Sequence, residues 1–112
     1  MKRGEIWWAT LDEPRGSEPG YRRPVVVISS NEFNQSKINT AIVAVITSNL
    51  RLAEAPGNFS LSKKESGLAK ESVVNVSQVL TLDKVFLSER SGMLSAKKLV
   101  AMTEGLKLVL SI

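Results

Sequence analysis

The sequence predicts a mainly β domain: a small curled sheet or barrel of five or six strands, closed by one C-terminal helix. Three observations carry this. Short runs rich in β-branched and aromatic residues recur between turn-forming segments through most of the chain. Only the last stretch has apolar residues at helical spacing. The length of 112 residues leaves room for a single domain spanning 1–112, in which sheet and helix bury their apolar faces against each other.

The elements follow in order. Gly4–Leu11, with Ile6-Trp7-Trp8-Ala9 at its centre, reads as the first strand and ends at Asp12-Glu13-Pro14. In an extended segment Trp7 and Trp8 face opposite sides, one toward the core and one partly exposed. Asp12 to Tyr21 holds two prolines and two glycines and forms a long loop, of the kind that carries function when a scaffold holds its ends. Pro24–Ile28 is a buried strand with proline at its first position, where a missing N–H is tolerated. Asn31–Lys37 is polar and fits a single helical turn. Ala41–Ile46 is a second buried strand, leading into Thr47-Ser48-Asn49 and a loop closed by Pro56-Gly57. Phe59 and Leu61 alternate with polar neighbours as a half-exposed strand.

Ser72–Leu82 carries Val73, Val74, Val76, Val79, Leu80 and Leu82 and reads as one bent strand, followed by a short helical turn over Asp83–Leu87. Leu99, Met102, Leu106, Val109 and Leu110 define a helix over Ala96–Leu110 with Ser95 as its N-cap, although Lys98 is not the acidic partner of a full capping box. Gly105 inside that helix costs ~1 kcal/mol relative to alanine, which makes sense where another element approaches closely.

Hydrophobic residues at 43% and charged residues at 23% are ordinary for a folded soluble chain. A domain this small buries only ~60–70% of the surface its unfolded chain exposes, a shortage that a homodimer would relieve. The longest apolar run, Ala41–Ile46, is far shorter than the ~18–20 residues of a membrane span, so the cytoplasm is the expected compartment. The chain has no cysteine, which removes disulfides, thiolate zinc sites and cysteine nucleophiles. It has no histidine, which removes imidazole acid–base chemistry and the commonest metal ligand. The carboxylates are scattered, and the adjacent Asp12-Glu13 point to opposite sides of an extended segment, so no metal or other cofactor is expected. Gly16-Ser17-Glu18-Pro19-Gly20 lacks the Gly-Lys-Ser/Thr ending of a phosphate-binding P-loop.

Fifteen basic against eleven acidic residues give a net charge of +4. That balance permits attraction to nucleic acid or to an acidic protein, although the charges are spread along the chain. The densest polar constellation runs from Gly16 to Pro24, straight into the first buried strand. A guanidinium at a strand mouth makes bidentate contacts to phosphate, and Thr47 closes the other long apolar strand. If those strands are neighbours, Arg23 and Thr47 share one edge of the sheet. With Glu18 nearby they suffice for attack of an RNA 2′-hydroxyl on its own phosphate, where the substrate supplies the nucleophile and the enzyme stabilises developing charge. The bland alternative is an Arg-Arg pair solvated ahead of a strand and a threonine that bonds locally. Tyr21 in the loop is the better aromatic for stacking on a base, ahead of an exposed tryptophan.

At these residues the sequence resembles the MazF/PemK family of toxins from bacterial toxin–antitoxin systems. The resemblance runs nearly end to end: Lys2-Arg3-Gly4-Glu5-Ile6-Trp7, Gly16-Ser17-Glu18, Arg23-Pro24-Val25-Val26-Val27-Ile28, Val45-Ile46-Thr47-Ser48, Ser77 to Lys84, and the helix around Glu104-Gly105-Leu106. It implies a compact SH3-like β-barrel of the PemK/CcdB type, usually a homodimer. It also implies a sequence-specific, metal-independent endoribonuclease that cleaves single-stranded messenger RNA, leaving a 2′,3′-cyclic phosphate or 3′-phosphate and a 5′-hydroxyl. The resemblance assigns catalysis to Arg23, Thr47 and Glu18, with Glu18 either taking part in the reaction or holding Arg22 or Arg23 in place. Ser17, Tyr21, Arg22, Ser48 and Asn49 are the expected RNA contacts. The implied partner is a small antitoxin whose acidic, extended tail competes for the basic RNA groove.

Two other readings share the fold: a toxin that poisons DNA gyrase by protein contact, and a degenerate antitoxin-binding module. Fold does not choose among them. The Gly16-Ser17-Glu18 motif with Arg23 and Thr47 favours the ribonuclease. The chain also closes on Lys107 to Ile112 without the Trp-Gly-Ile-type ending associated with gyrase poisons.

Overall fold

A computed structural model describes residues 1–12 and 21–112. Six strands form one antiparallel sheet: β1 (Glu5–Asp12), β2 (Tyr21–Val27), β3 (Thr40–Thr47), β4 (Phe59–Leu61), β5 (Ser72–Asp83) and β6 (Leu87–Met93). Their spatial order is β4-β5-β3-β2-β1-β6. Two short helices, α1 (Asn31–Gln35) and α2 (Lys63–Ser66), and 3-10 turns over Leu50–Glu54 and Lys84–Phe86 connect them, and α3 (Ala96–Leu110) ends the fold. The mainly β class with one C-terminal helix is as the sequence predicts.

Apolar side chains are buried on both faces of the sheet, which is why it curls. On one face α3 presses Met102 and Leu106 onto Ile6, Val26, Ala44, Ile46, Val74 and Val76. On the other, Ala9, Val25, Val27, Ala41 and Val43 are covered by Leu80 and Leu82 from the second half of β5 and by Leu87 from β6. β5 reaches both layers because it bends. Its pairing with β3 runs from Thr40↔Asp83 to Ala44↔Val79, slips, and resumes at Val45↔Asn75. A bulge of this kind sharpens local twist and lets one strand serve two packing surfaces.

Helix α3 starts where Ser95 accepts a bond from the Lys98 amide at 3.2 Å. Its Gly105 lies against Gly57, so close that an added Cβ would meet the Gly57 carbonyl oxygen at 2.2 Å. The predicted close approach is therefore the turn before β4.

Two expectations need correction, and two elements were not foreseen. Pro24 does not open its strand: β2 begins at Tyr21, and Pro24 pairs with Trp8 of β1. It is tolerated because β3 joins only from Val25 onward, leaving that side of β2 unpaired at Pro24. The two tryptophans do not divide into core and surface. Both are half-buried, Trp8 against the layer under α3 and Trp7 against the opposite one. Leu87–Met93 is a strand although it shows no apolar alternation, because β1 offers it a free edge. Lys63–Ser66 is a helical turn with a complete capping box between Ser62 and Glu65.

Candidate active site

Antiparallel pairing of β2 with β3 settles what the chain order leaves open. The paired stretch runs Val25↔Val45, Val26↔Ala44, Val27↔Val43; Arg23 lies two residues before it on β2 and Thr47 two residues beyond it on β3. The start of β2 and the end of β3 thus meet at one edge of the sheet. Both residues line a cavity of about 300 Å³, together with Trp8, Arg22, Pro24 and Ser48. Its far wall is the segment between α2 and β5: Leu68, Ala69, Lys70 and Ser72. Gly67 turns that segment in. Its φ of +73° is a conformation glycine adopts freely, and a Cβ there would meet the Ser91 carbonyl oxygen at 2.3 Å.

Thr47 is buried at 9% exposure, and its Oγ1 accepts the Asn49 amide at 3.1 Å. A hydroxyl carries one donor and two acceptor sites, so this bond fixes the oxygen while its proton stays free to donate. Asn49 in turn caps the following 3-10 turn, its Oδ1 accepting from the Arg51 amide at 3.2 Å. The hydroxyl is held by backbone order rather than by another mobile side chain.

The adjacent arginines differ in their surroundings. Arg22 bonds Glu89 Oε2 through Nη2 at 2.8 Å, and its guanidinium lies 4.7 Å from the centre of the Trp8 ring. Arg23 is half-buried and its guanidinium lies 5.6 Å from the Tyr21 ring. Among the described residues no carboxylate pairs with Arg23. Of the two, it is the one that lines the cavity with Thr47 and has no carboxylate partner among the described residues.

Tyr21 is 45% exposed and borders the site through Arg23, while neither it nor Asn49 is among the described residues lining the cavity. Ser17 and Glu18 lie outside the described residues. Sequence reasoning did not single out Trp8 for this cleft, nor Lys70, which has no local signal because a turn some twenty residues beyond Thr47 delivers it. A second depression continues from the first through Ser48, Ala69 and Lys70 to Leu50, Lys63 and Glu71. Two ammonium groups thus extend the basic surface away from the arginines. Among the described residues no three acidic side chains gather as a metal site would require.

A model of the PemK-like, MazF-like toxins of type II toxin–antitoxin systems matches residues 2–110. The endoribonuclease MazF6 of Mycobacterium tuberculosis is 45% identical over 112 residues, covering all of this chain and 98% of the relative. The endoribonuclease MazF of Staphylococcus epidermidis is 36% identical over 112 residues, covering all of this chain and 92% of that one. Among solved structures, a mycobacterial endoribonuclease in complex with its cognate antitoxin superposes with a TM-score of 0.82 at 19% identity, covering all of this chain and 96% of the other. A MazE–MazF crystal structure from Deinococcus radiodurans superposes at 0.80 and 21% identity, with the same coverage.

Proposed function

Because the chain belongs to the PemK-like, MazF-like toxins of type II toxin–antitoxin systems, we propose that it is an endoribonuclease that cleaves single-stranded messenger RNA without a metal ion. The observation that supports the mechanism is that Arg23, at the start of β2, and Thr47, at the end of β3, line one cavity. The reaction is transesterification: the 2′-oxygen forms a bond to the adjacent phosphorus, the bond from phosphorus to the 5′-oxygen breaks, and a 2′,3′-cyclic phosphate and a 5′-hydroxyl result. Negative charge grows on the non-bridging oxygens as phosphorus becomes five-coordinate. Arg23 meets that charge with its guanidinium, and the free proton of Thr47 bonds one of those oxygens. Arginine stays protonated at any working pH, so its part is electrostatic rather than proton transfer. Glu18 takes the 2′-hydroxyl proton, the departing 5′-oxygen takes a proton from water, and Ser17 is a further phosphate contact.

RNA lies along the basic surface from Arg22 and Arg23 to Lys70 and Lys63, with Tyr21, Ser48 and Asn49 along its course. The same surface takes the acidic tail of an antitoxin. The protein acts in the cytoplasm, where messenger RNA is; among the described residues no helix is long and apolar enough to cross a membrane. Two copies associate, covering exposed apolar side chains such as Val85, Val100 and Leu108.

The test is cleavage of a long unstructured RNA in excess EDTA by the native protein and by Arg23→Ala. Discrete fragments with 5′-hydroxyl ends, lost in the variant, are the expected result. Intact RNA with a folded native protein would turn attention to gyrase contact or to antitoxin binding alone.

A further inference from the structure

Trp8, Arg22 and Glu89 make a feature that this mechanism does not use. The registers β1–β2 and β1–β6 set Pro24, Trp8 and Glu89 in one row across three strands. Arg22, two residues before Pro24 and so on the same face, reaches back across β1. Its guanidinium lies over the Trp8 ring, 4.7 Å from the centre, and is fastened on the far side by Glu89 at 2.8 Å. Beneath, Trp8 packs on the core layer that α3 covers. The ring is therefore fixed from below and the guanidinium from one edge, with the Arg22 side chain 46% exposed at the mouth of the cavity.

We propose that the Trp8–Arg22 stack is a platform on which one nucleobase beside the scissile phosphate lies flat, with Glu89 as the positioning residue that sets its plane. The proposal rests on the ribonuclease reading above. Guanidinium planes stack on bases as aromatic rings do. Stacking uses a guanidinium face and none of the donors already given to Glu89, whereas a phosphate would compete with that carboxylate. An exposed ion pair adds little stability by itself, so what Glu89 supplies is orientation. The two arginines then divide the substrate: Arg23, with no carboxylate partner among the described residues, faces the phosphate, and Arg22 faces a base.

The experiment uses a 2′-O-methyl oligonucleotide carrying whichever sequence the native protein cleaves, so that binding is measured without reaction. Arg22→Ala and Arg22→Lys are expected to weaken binding alike, by roughly 5- to 150-fold, because lysine keeps the charge and loses the plane. The slope of log affinity against log salt stays native in both. An abasic nucleotide at one position gives the native protein the same loss, and on that RNA native and variants bind equally. Glu89→Gln broadens the bases accepted at that position, again at native slope. Native affinity in Arg22→Lys, a slope reduced by ~0.7 per lost phosphate contact, or a steeper slope in Glu89→Gln would each overturn the platform in favour of a phosphate contact. Unchanged binding in every variant would reduce the trio to a surface ion pair. Thermal melts check folding, and Arg22→Lys keeps the comparison available if the alanine variant does not fold. A native protein that neither binds nor cleaves RNA would instead remove the ribonuclease reading, a different outcome from altered variants of an active enzyme.

Discussion

Replacing Gly105 by alanine sets two effects of opposite sign against each other at one position. In an exposed helix the change stabilises by ~1 kcal/mol, since alanine loses less backbone freedom. Here the new Cβ stands 2.2 Å from the Gly57 carbonyl oxygen and 3.0 Å from its carbonyl carbon, where ordinary contact begins near 3.4 Å. Both neighbours are backbone and cannot rotate away. Gly57 cannot retreat freely either: its φ is +82°, and its own Cβ position is 2.9 Å from the Gly105 oxygen. Helix α3 must move off the turn, loosening Met102 and Leu106 from their layer. Overpacking typically costs ~1–3 kcal/mol, and with backbone facing backbone on both sides it falls in the upper part of that range, ~2–3, so after the helix-propensity gain the net loss is about 1–2 kcal/mol. At about 4 °C per kcal/mol for a domain of this size, the melting temperature falls by roughly 4–8 °C. Thermal unfolding followed by circular dichroism measures it. An unchanged or raised melting temperature would refute the reasoning, because it would mean that α3 does not lie this close to Gly57.

Thr47→Val keeps the shape and removes the hydroxyl, both the acceptor for the Asn49 amide and the donor proposed for the phosphate. Loss of one such donor lowers the cleavage rate by about 10²–10³-fold, and single-turnover kinetics at saturating enzyme will show it in the chemical step rather than in binding. Lys70→Ala weakens RNA binding uniformly across sequences and lowers the salt slope by ~0.7, read by titration at several salt concentrations. Glu5→Gln tests a carboxylate of the core edge. Burial pushes the Glu5 carboxyl up, but the Lys2 amide at 2.7 Å, the Trp7 indole at 3.3 Å and Arg90 at 3.0 Å outweigh it, so it titrates below its ordinary value of 4.5. A lowered carboxylate stabilises the fold above the unfolded value and ceases to do so as pH falls through the folded one. The variant is therefore less stable at pH 7 by about 1.5–3 kcal/mol, and the gap from native narrows below pH 4.5 in denaturant titrations.

Elements with a strong internal period were readable from the sequence: the apolar runs of β2 and β3, the long valine-rich β5, and the helical spacing of α3. The cap at Ser95 and the unusual glycine at 105 also declared themselves, because each is a local departure with one physical use. Strand β6 was not readable. Leu87 is its only buried residue, and Ser88, Glu89 and Arg90 are strand because β1 stands unpaired beside them. Helix α2 carried a legible sign, Ser62 followed three residues later by Glu65, in a stretch too short to show a period. At the site, elimination of cysteine and histidine left arginine and hydroxyl chemistry, and Arg23 and Thr47 follow from that with the family motif. Their meeting in one cavity required the direction of pairing, which no local pattern encodes. Lys70 enters the cleft by a turn at Gly67 that reflects the fit against Ser91, and Arg22 is set apart from Arg23 by Trp8 and by Glu89, the latter far along the chain.

The place of β1 between β2 and β6 has a consequence for how the protein comes to exist. The first strand made is an interior strand, and its second neighbour is the last. Until synthesis has passed Met93, the growing chain exposes one side of β1 as an unpaired edge, and α3, which covers the layer containing Ile6, is later still. Long-range closure of this sort is slow relative to local helix formation. Closure of the sheet and burial of its α3-facing layer therefore wait until β6 and α3 have been made, and a nascent chain cannot complete its architecture before then.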